Sequence, residues 1–385
     1  MVMYGGPEHD CIDEINEWNS DLKQINPELV TLITREHIED AILSAPDTAP
    51  GPDGIPFWVY KQCLKTSSTI IYNILQDVLN PEIELPEWAS ECFLFIIPKN
   101  ADHELMFDDV PVAAYSPSKT RPITVANCWA RILSRAALYI WKPIVDDYCH
   151  ADQRAYLEGR QITDNIEIAN QFLQRPDNTR RKHVLLVDFS NAFSSLGHRF
   201  IREYCAAAGV PESLIRVLCF PLKTNHTIVF NGKRYPFVSC QAGSRQGDAL
   251  SGLIFIFILE SLLDKLRQIE LGNPEADAEL RAMVRVLAFA DDLAILLERL
   301  LKGQFPIIVE LFQKFKRASN LKVNVSKTFI VANHNNFSPS ELEKFNSTSW
   351  GDMTPNCCYV QRYLGLPIGY GGFAHRVWCD RGKNI

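Results

Sequence analysis

The segment from Arg285 to Glu298, RVLAFADDLAILLE, places two adjacent aspartates between two apolar runs. The apolar runs favour short interior strands or one apolar helix, and aspartate suits neither environment. A lone aspartate at such a position would ordinarily cap a helix or mark a turn. Two like charges are harder to accommodate, because a buried unpaired carboxylate costs several kcal/mol and a second one nearby adds repulsion. A cation bound by Asp291 and Asp292 would remove this difficulty.

A third carboxylate has a similar setting in the segment HVLLVDFSNAF, where Asp188 follows a β-branched and leucine-rich run. If the strands are neighbours, a strand end and a hairpin tip would bring the three carboxylates together. Two divalent ions held about 4 Å apart by carboxylates can activate one oxygen and stabilise the leaving oxygen of a phosphoryl transfer. Magnesium is the predicted occupant, because it is a hard cation that shares oxygen ligands with substrate phosphates.

The segment AGSRQGDALSGLIFIFILE lies between these acids and combines glycines with a helical pattern. Gly243, Gln246 and Gly247 precede apolar positions spaced as in a helix. Glycine lets a backbone approach a ligand closely, and glutamine can hydrogen-bond a base or a sugar. A plain glycine turn followed by a helix that Asp248 caps explains the same letters.

The net charge of −7 argues against a nucleic-acid partner, but the charges are unevenly distributed. Three windows contain five Lys or Arg each and no acidic residue: 110–145, 213–247 and 311–340. Such clustering is what a surface that follows a phosphate backbone requires. Three solvated basic faces are the alternative interpretation.

No segment is apolar enough to predict a membrane span. The longest uncharged apolar run, Ala249–Leu259, has 11 residues, against the roughly 18 to 20 that a bilayer requires. The N-terminus MVMYGGPEHD lacks the basic start and apolar core of a signal peptide. We therefore expect a soluble, intracellular protein without a membrane partner.

Helical and extended patterns are mixed along the chain without a regular alternation, which favours an α+β fold. The region 27–65 favours helix, with Thr34 as an N-cap, and Pro52-Asp53-Gly54 within it is a strong turn signal. ECFLFIIP, KHVLLVDF, HTIVFNG and RYPFVSC favour strands, while 126–147, 213–218 and 250–269 favour helices.

Taken in order, the motifs VDFSNAF, GSRQGDALS, FADD, NLKVNVSKT and RYLGLPIG resemble the successive palm motifs of reverse transcriptases. APGPDGIP, IPKN, KTRPIT and ADQRAYLEGRQITDNI resemble the branch found in non-long-terminal-repeat (LINE-type) retrotransposons. The resemblance covers 38–369. It implies a right-hand polymerase fold of fingers and palm, in which helices pack on an antiparallel palm sheet, and it makes a nuclear location plausible.

The resemblance assigns a catalytic role to four positions. Asp188 and Asp291 would hold two Mg²⁺ ions, with Mn²⁺ as a possible substitute, and Asp292 would be the adjacent third carboxylate. Lys327 would be the general acid that protonates the departing pyrophosphate.

It also assigns substrate-binding roles. Phe193 would be the steric gate that excludes a ribose 2′-hydroxyl; the alternative is a side chain that only fills the core. Arg121 would bind the incoming triphosphate through two parallel hydrogen bonds. The remaining positions are Lys99, a point charge on phosphate or a solvated surface lysine; Gln246 and Gly247, in the nucleotide and template pocket; and Leu364 and Gly365, in the turn that grips the primer.

The same comparison divides the chain into three parts. Residues 1–90 would be a mostly helical N-terminal extension leading into the fingers. Residues 91–370 would be the reverse transcriptase domain, with fingers over 91–182 and palm over 183–370. Residues 371–385 would be the start of a truncated thumb or connection.

The function that this predicts is an RNA-directed DNA polymerase from a retrotransposon. It would add deoxynucleotides to a primer 3′-hydroxyl, with an RNA template, a DNA primer and dNTPs as partners. One alternative is a catalytically weak or inactive relic, or a domesticated nucleic-acid-binding module that keeps the fold. Another is a nuclease that uses two metal ions, although hydrolysis requires neither a base-pair pocket nor a triphosphate clamp.

Overall fold

The structure is a computed structural model that describes most of the chain. The described residues are 12–98, 103–107, 110–114, 120–174, 182–230, 232–240, 242–272, 281–298, 300–301, 303–333, 337–346 and 356–369. They form two compact units. The first unit contains 24–144 and 193–254, and the second contains 12–23, 145–192 and 255–369. The predicted thumb segment, 371–385, lies outside the described residues.

The elements are numbered in chain order. The α-helices are α1 (Ile12–Asn19), α2 (Arg35–Leu43), α3 (Phe57–Gln62), α4 (Leu64–Leu79), α5 (Cys128–Tyr148), α6 (Ile162–Gln174), α7 (Ala192–Ser195), α8 (His198–Ala207), α9 (Glu212–Cys219), α10 (Ser251–Arg267), α11 (Phe305–Ser319) and α12 (Pro339–Asn346). The strands are β1 (Glu91–Pro98), β2 (His103–Phe107), β3 (Val110–Ala114), β4 (Thr120–Ala126), β5 (Lys182–Val187), β6 (Phe189–Ser190), β7 (Thr224–Phe230), β8 (Lys233–Cys240), β9 (Glu270–Gly272), β10 (Arg281–Met283), β11 (Arg285–Phe289), β12 (Asp292–Glu298), β13 (Lys322–Val323), β14 (Phe329–Ala332), β15 (Asn356–Cys358), β16 (Val360–Tyr363) and β17 (Leu366–Gly369).

The second unit is built on a five-stranded sheet in the order β11-β12-β5-β14-β15. The pairs β11–β12, β12–β5 and β5–β14 are antiparallel, and β14–β15 is parallel. Every residue of β5 is buried, which agrees with the apolar run from Val184 to Val187 and includes the polar Lys182 and His183 at its start. The α+β class is confirmed, and the sheet is antiparallel except at the β15 edge.

A hydrophobic core joins this sheet to α6 and to the β16–β17 hairpin. The face of α6 that carries Ile166, Ala169 and Phe172 packs against β5, β11 and β12. Tyr363 and Ile368 of the hairpin belong to the same core. The packing therefore holds the ends of β5 and β12, where the predicted acidic residues lie, against a common apolar support.

The first unit contains a four-stranded sheet in the order β4-β1-β7-β8. Strand β1 is antiparallel to β4 and parallel to β7, and β7 pairs antiparallel with β8. The predicted N-cap is confirmed, because the Thr34 hydroxyl accepts a hydrogen bond from the His37 backbone N–H at the start of α2. The predicted turn is confirmed as well, with Gly54 at φ +70°.

Candidate active site

The aspartate pair lies at a tight hairpin turn in the second unit. Phe289 pairs with Asp292, so Ala290 and Asp291 are the two turn residues between β11 and β12. Ala290 has a φ of +55°, which a residue with a Cβ rarely adopts. The apolar runs on either side form the two buried strands. The turn thus presents Asp291 at the hairpin tip and Asp292 at the first position of β12.

Asp188 lies at the same end of the neighbouring strand. Val187 pairs with Leu293 in antiparallel strands, so Asp188, which follows Val187, and Asp292, which precedes Leu293, lie at the same end of the two strands. Burial and the charge of Asp188 raise the pKa of Asp291. Burial, Asp291 and Asp188 together raise the pKa of Asp292 to about 6, even though its side chain reaches solvent. The three carboxylates therefore repel one another.

This donor set fits a divalent cation. Carboxylate oxygens are the ligands that Mg²⁺ prefers, and a cation would replace the mutual repulsion by attraction. Within the described ranges, no group of three or more His, Cys, Asp or Glu side chains is arranged so that it could hold a metal ion. The aspartates would therefore supply part of the coordination, as is usual where substrate phosphates and water supply the rest.

Lys327 lies beside Asp188. Its Nζ is 3.8 Å from Oδ2 of Asp188, and most of its side chain is exposed. The short 3₁₀ turn Val325–Lys327 is tied to the acid's own backbone, because the N–H of Asn324 donates to the carbonyl of Asp188 at 2.7 Å. A cavity of about 350 Å³ is lined by Asp188, Asp292, Lys327 and Leu364, among other residues.

The predicted primer-grip residues form the tip of the β16–β17 hairpin. Tyr363 pairs with Leu366, and the turn residues Leu364 and Gly365 have φ values of +51° and +84°. Positive φ at both turn positions is the geometry that continues the natural twist of two strands. The buried Tyr363 anchors the turn, since its hydroxyl donates to the carbonyl of Leu287 at 3.4 Å. Leu364 thus lines the same cavity as Asp188 and Asp292.

The predicted nucleotide-binding residues lie in the first unit, where backbone hydrogen bonds connect them. The N–H of Ser244 donates to the carbonyl of Phe193 at 2.8 Å, and the N–H of Thr124 donates to the carbonyl of Gln246 at 3.3 Å. Arg121 is exposed and precedes Thr124 on β4. The carbonyl of Gly243 also accepts a hydrogen bond from Nε2 of His198, at 2.7 Å. The structure therefore joins Phe193, Gln246 and the strand of Arg121 in one network.

Two glycines in this network are required by the backbone. Gly247 has a φ of +109°, and Gly243 has a φ of +87°. A Cβ on Gly243 would lie 2.7 Å from the Cα of Ser194, next to the predicted gate residue. The sequence indicated that the backbone at Gly243 approaches another group closely. In the structure this group is the backbone of Ser194 and not a ligand.

A buried ionic cluster before α10 was not predicted. Arg245 is almost fully buried, and its guanidinium nitrogens have no hydrogen-bond partner among the described residues. Asp248 accepts hydrogen bonds from the Ser134 hydroxyl at 2.9 Å and from the Leu250 N–H at 3.0 Å. Burial raises the pKa of Asp248, and the charge of Arg245 opposes that shift. Asp248 thus has the helix-start role that the alternative interpretation gave it, beside a charged partner.

Several cations of the basic windows stabilise the fold. Arg131 donates to the carbonyl of Ala49 at 2.6 Å, Arg135 to that of Ser44 at 3.0 Å and Arg216 to that of Val78 at 2.8 Å. Arg317 pairs with Glu14 of α1 at 3.4 Å. Lys233 and Lys322, by contrast, are exposed.

Lys99 lies outside the described residues. A search of the described helices finds none long and apolar enough to span a bilayer.

The chain belongs to the reverse transcriptase (RNA-dependent DNA polymerase) family, whose profile matches residues 97–367. This span contains every residue for which a catalytic or substrate-binding role was predicted. The non-long-terminal-repeat branch is supported by the relatives that the chain resembles.

Three relatives are proteins of transposable elements. The chain is 26% identical over 306 residues to the "Retrovirus-related Pol polyprotein from type-1 retrotransposable element R2" of Popillia japonica, covering 78% of this chain and 39% of that protein. It is 26% identical over 331 residues to the "Retrovirus-related Pol polyprotein from type-2 retrotransposable element R2DM" of Drosophila melanogaster, covering 83% and 28%. It is 22% identical over 303 residues to the "Transposon TX1 uncharacterized 149 kDa protein" of Xenopus laevis, covering 78% and 22%. The chain thus spans less than half the length of these relatives.

Proposed function

We propose that this chain is the RNA-directed DNA polymerase domain of a non-long-terminal-repeat retrotransposon. The observation that carries the proposal is the convergence of three aspartates at one end of two neighbouring strands, in a chain of the reverse transcriptase family. Without a cation, Asp188, Asp291 and Asp292 only repel one another. Such an arrangement is costly for stability and suited to divalent-metal catalysis.

Asp188 and Asp291 would hold the metal ions, with Asp292 adjacent. When bound, Mg²⁺ would activate the primer hydroxyl and stabilise the charge on the leaving oxygen. Lys327 carries an exposed ammonium beside Asp188 and would donate a proton to the departing pyrophosphate. Leu364 and Gly365, at the tip of their hairpin, would contact the primer strand.

The residues of the first unit would select the nucleotide. Phe193 would exclude the 2′-hydroxyl with its ring. The hydrogen bond from the Ser244 N–H to the Phe193 carbonyl fixes the backbone that carries this ring. Gln246 and Gly247 would line the pocket for nucleotide and template. The exposed Arg121 would bind the triphosphate through its planar guanidinium. The partners would be an RNA template, a DNA primer and dNTPs, acting in the nucleus.

A primer-extension assay tests the proposal. The chain is incubated with a labelled DNA primer annealed to an RNA template, dNTPs and Mg²⁺. We expect template-dependent extension that stops when the metal is chelated. Binding without extension would support a relic or a nucleic-acid-binding module instead, and shortening of either strand would support a nuclease.

A further inference from the structure

The segment that follows α5 pairs with the outer edge of the catalytic hairpin. Strand β11 is an edge strand of its sheet. Gln153 forms a parallel bridge with Ala288 of that strand. The N–H of Ala288 donates to the carbonyl of Asp152, and the N–H of Arg154 donates to the carbonyl of Ala288, both at 2.9 Å. This segment belongs to the motif ADQRAYLEGRQITDNI, to which the sequence assigned no role.

The side chain of Gln153 reaches the turn that precedes Asp291. Gln153 is fully buried. Its Oε1 accepts hydrogen bonds from the N–H of Ala290 at 3.1 Å and from the N–H of Ala155 at 3.0 Å. Its Nε2 has no hydrogen-bond partner among the described residues. The contact with the turn therefore depends on the acceptor oxygen.

Ala290 is the residue that needs such support. Its φ of +55° is disfavoured for a side chain with a Cβ, so the surrounding structure must hold it. Asn165 is also buried and binds the same strand, since its Nδ2 donates to the carbonyl of Ala288 at 2.9 Å. Asn165 accepts in turn from the guanidinium of Arg154. Two buried amide side chains thus brace the end of β11.

We propose that Gln153 is a positioning residue that holds the left-handed backbone of Ala290 and so aims the Asp291 carboxylate at the metal. The inference rests on the proposed role of Asp291 as a metal ligand. Groups that orient metal ligands typically contribute 10-fold to 100-fold to metal affinity. An effect about tenfold is expected here, because Gln153 acts through the backbone.

The test is the binding of Mn²⁺ to the full chain, measured by the electron paramagnetic resonance signal of the free ion. Gln153→Met keeps the length of the side chain and removes the acceptor oxygen. We expect it to weaken Mn²⁺ binding about tenfold, and to raise by a similar factor the Mg²⁺ concentration needed for half-maximal incorporation. The KM for dNTP should stay within about twofold, because Gln153 acts on the metal ligand.

Gln171→Met is the matched control, because Gln171 is exposed on α6 and bonds only to Glu167, at 2.9 Å, among the described contacts. It should bind Mn²⁺ as the wild type does. A second variant, Ala290→Gly, tests whether Gln153 acts through the backbone of residue 290. Glycine adopts the left-handed conformation without the penalty that alanine has. In the Ala290→Gly background, Gln153→Met should therefore weaken Mn²⁺ binding less than about threefold. A merely structural role for Gln153 would give equal losses in both backgrounds.

Gln153→Glu, assayed at a pH at which its buried carboxyl stays protonated, retains the acceptor oxygen without adding a charge and covers the case in which the methionine variant does not fold. It should fold and bind Mn²⁺ at least about a third as tightly as the wild type. Wild-type Mn²⁺ affinity in a folded Gln153→Met, or a tenfold loss in a folded Gln153→Glu, would overturn the inference. Asp291→Asn separates the two claims: if it leaves Mn²⁺ binding unchanged, the proposed metal ligand itself is wrong.

Discussion

Replacing Gly243 by alanine should destabilise the first unit and loosen sugar selection together. A left-handed backbone costs about 1 to 2 kcal/mol for an L residue. The added Cβ would also lie 2.7 Å from the Cα of Ser194 and 2.8 Å from its carbonyl oxygen, so backbone must move. Overpacking of this kind costs a further 1 to 3 kcal/mol or so. We expect a total loss of about 2 to 5 kcal/mol in unfolding free energy by urea denaturation.

Gly232→Ala is the matched control, because Gly232 has a φ of +72° and an added Cβ would have no atom of the described residues within 4 Å. It should lose only the backbone part, about 1 to 2 kcal/mol. Gly243 is followed by Ser244, whose N–H binds the carbonyl of Phe193. Moving this backbone should shift Phe193, so Gly243→Ala should also lower the ratio of kcat/KM for dNTP to kcat/KM for NTP. Gly232→Ala should leave this ratio unchanged. Equal destabilisation by the two substitutions would refute the close approach to Ser194.

Three further outcomes are expected. Phe193→Val should lower the dNTP over NTP ratio of kcat/KM severalfold, and an unchanged ratio in an active variant would make Phe193 a core residue. In metal-free buffer, stability should fall by about 1 kcal/mol as the pH rises from 4 to above 6, because the raised pKa of Asp292, about 6, favours its protonated form in the folded state. The expected change of about 1 kcal/mol is well below the free energy equivalent to the whole pKa shift, because the Asp292 side chain is exposed to solvent. In thermal melts with chelator, Asp292→Asn should remove this pH-dependent loss of stability. Lys233→Glu should reduce the slope of log K against log[salt] for primer-template binding by about one unit. Arg131→Glu should mainly lower the stability of the fold, because Arg131 binds the Ala49 carbonyl. If Arg131→Glu changed the slope and Lys233→Glu lowered the stability, the phosphate-binding role of Lys233 and the structural role of Arg131 would both be wrong.

The acidic residues could be predicted because their signal is local. Continuous apolar runs predict buried strands, and a charge at the end of such a run marks the strand end. That reasoning correctly located β5, β11 and β12 and the hairpin turn between the last two. It could not give the neighbour relation of β5 and β12, since strand order depends on pairing between segments about a hundred residues apart.

The contacts of Gln153 and Asn165 with the end of β11, and the buried cluster of Arg245 and Asp248, could not be predicted for a related reason. Gln153, Asn165 and Arg245 act through contacts with residues distant in sequence, and polar side chains in mixed segments carry no periodic pattern. The basic windows are a different case, because charge along the sequence does not show which cations also have structural contacts. A run without acids suggests a phosphate-binding surface, yet Arg131, Arg135 and Arg216 donate to backbone carbonyls of the first unit. The predicted boundaries of fingers and palm remain a prediction.

The single-turnover rate of adding one deoxynucleotide opposite an RNA template tests the central claim most directly. Asp291→Asn is compared with Asp147→Asn, in which an exposed aspartate of the same unit is changed. The account predicts a loss of about 1,000-fold for Asp291→Asn, equivalent to about 4 kcal/mol of transition-state stabilisation, and a wild-type rate for the control. An Asp291→Asn protein that incorporates the nucleotide at the wild-type rate would contradict the assignment of these carboxylates as the catalytic metal ligands.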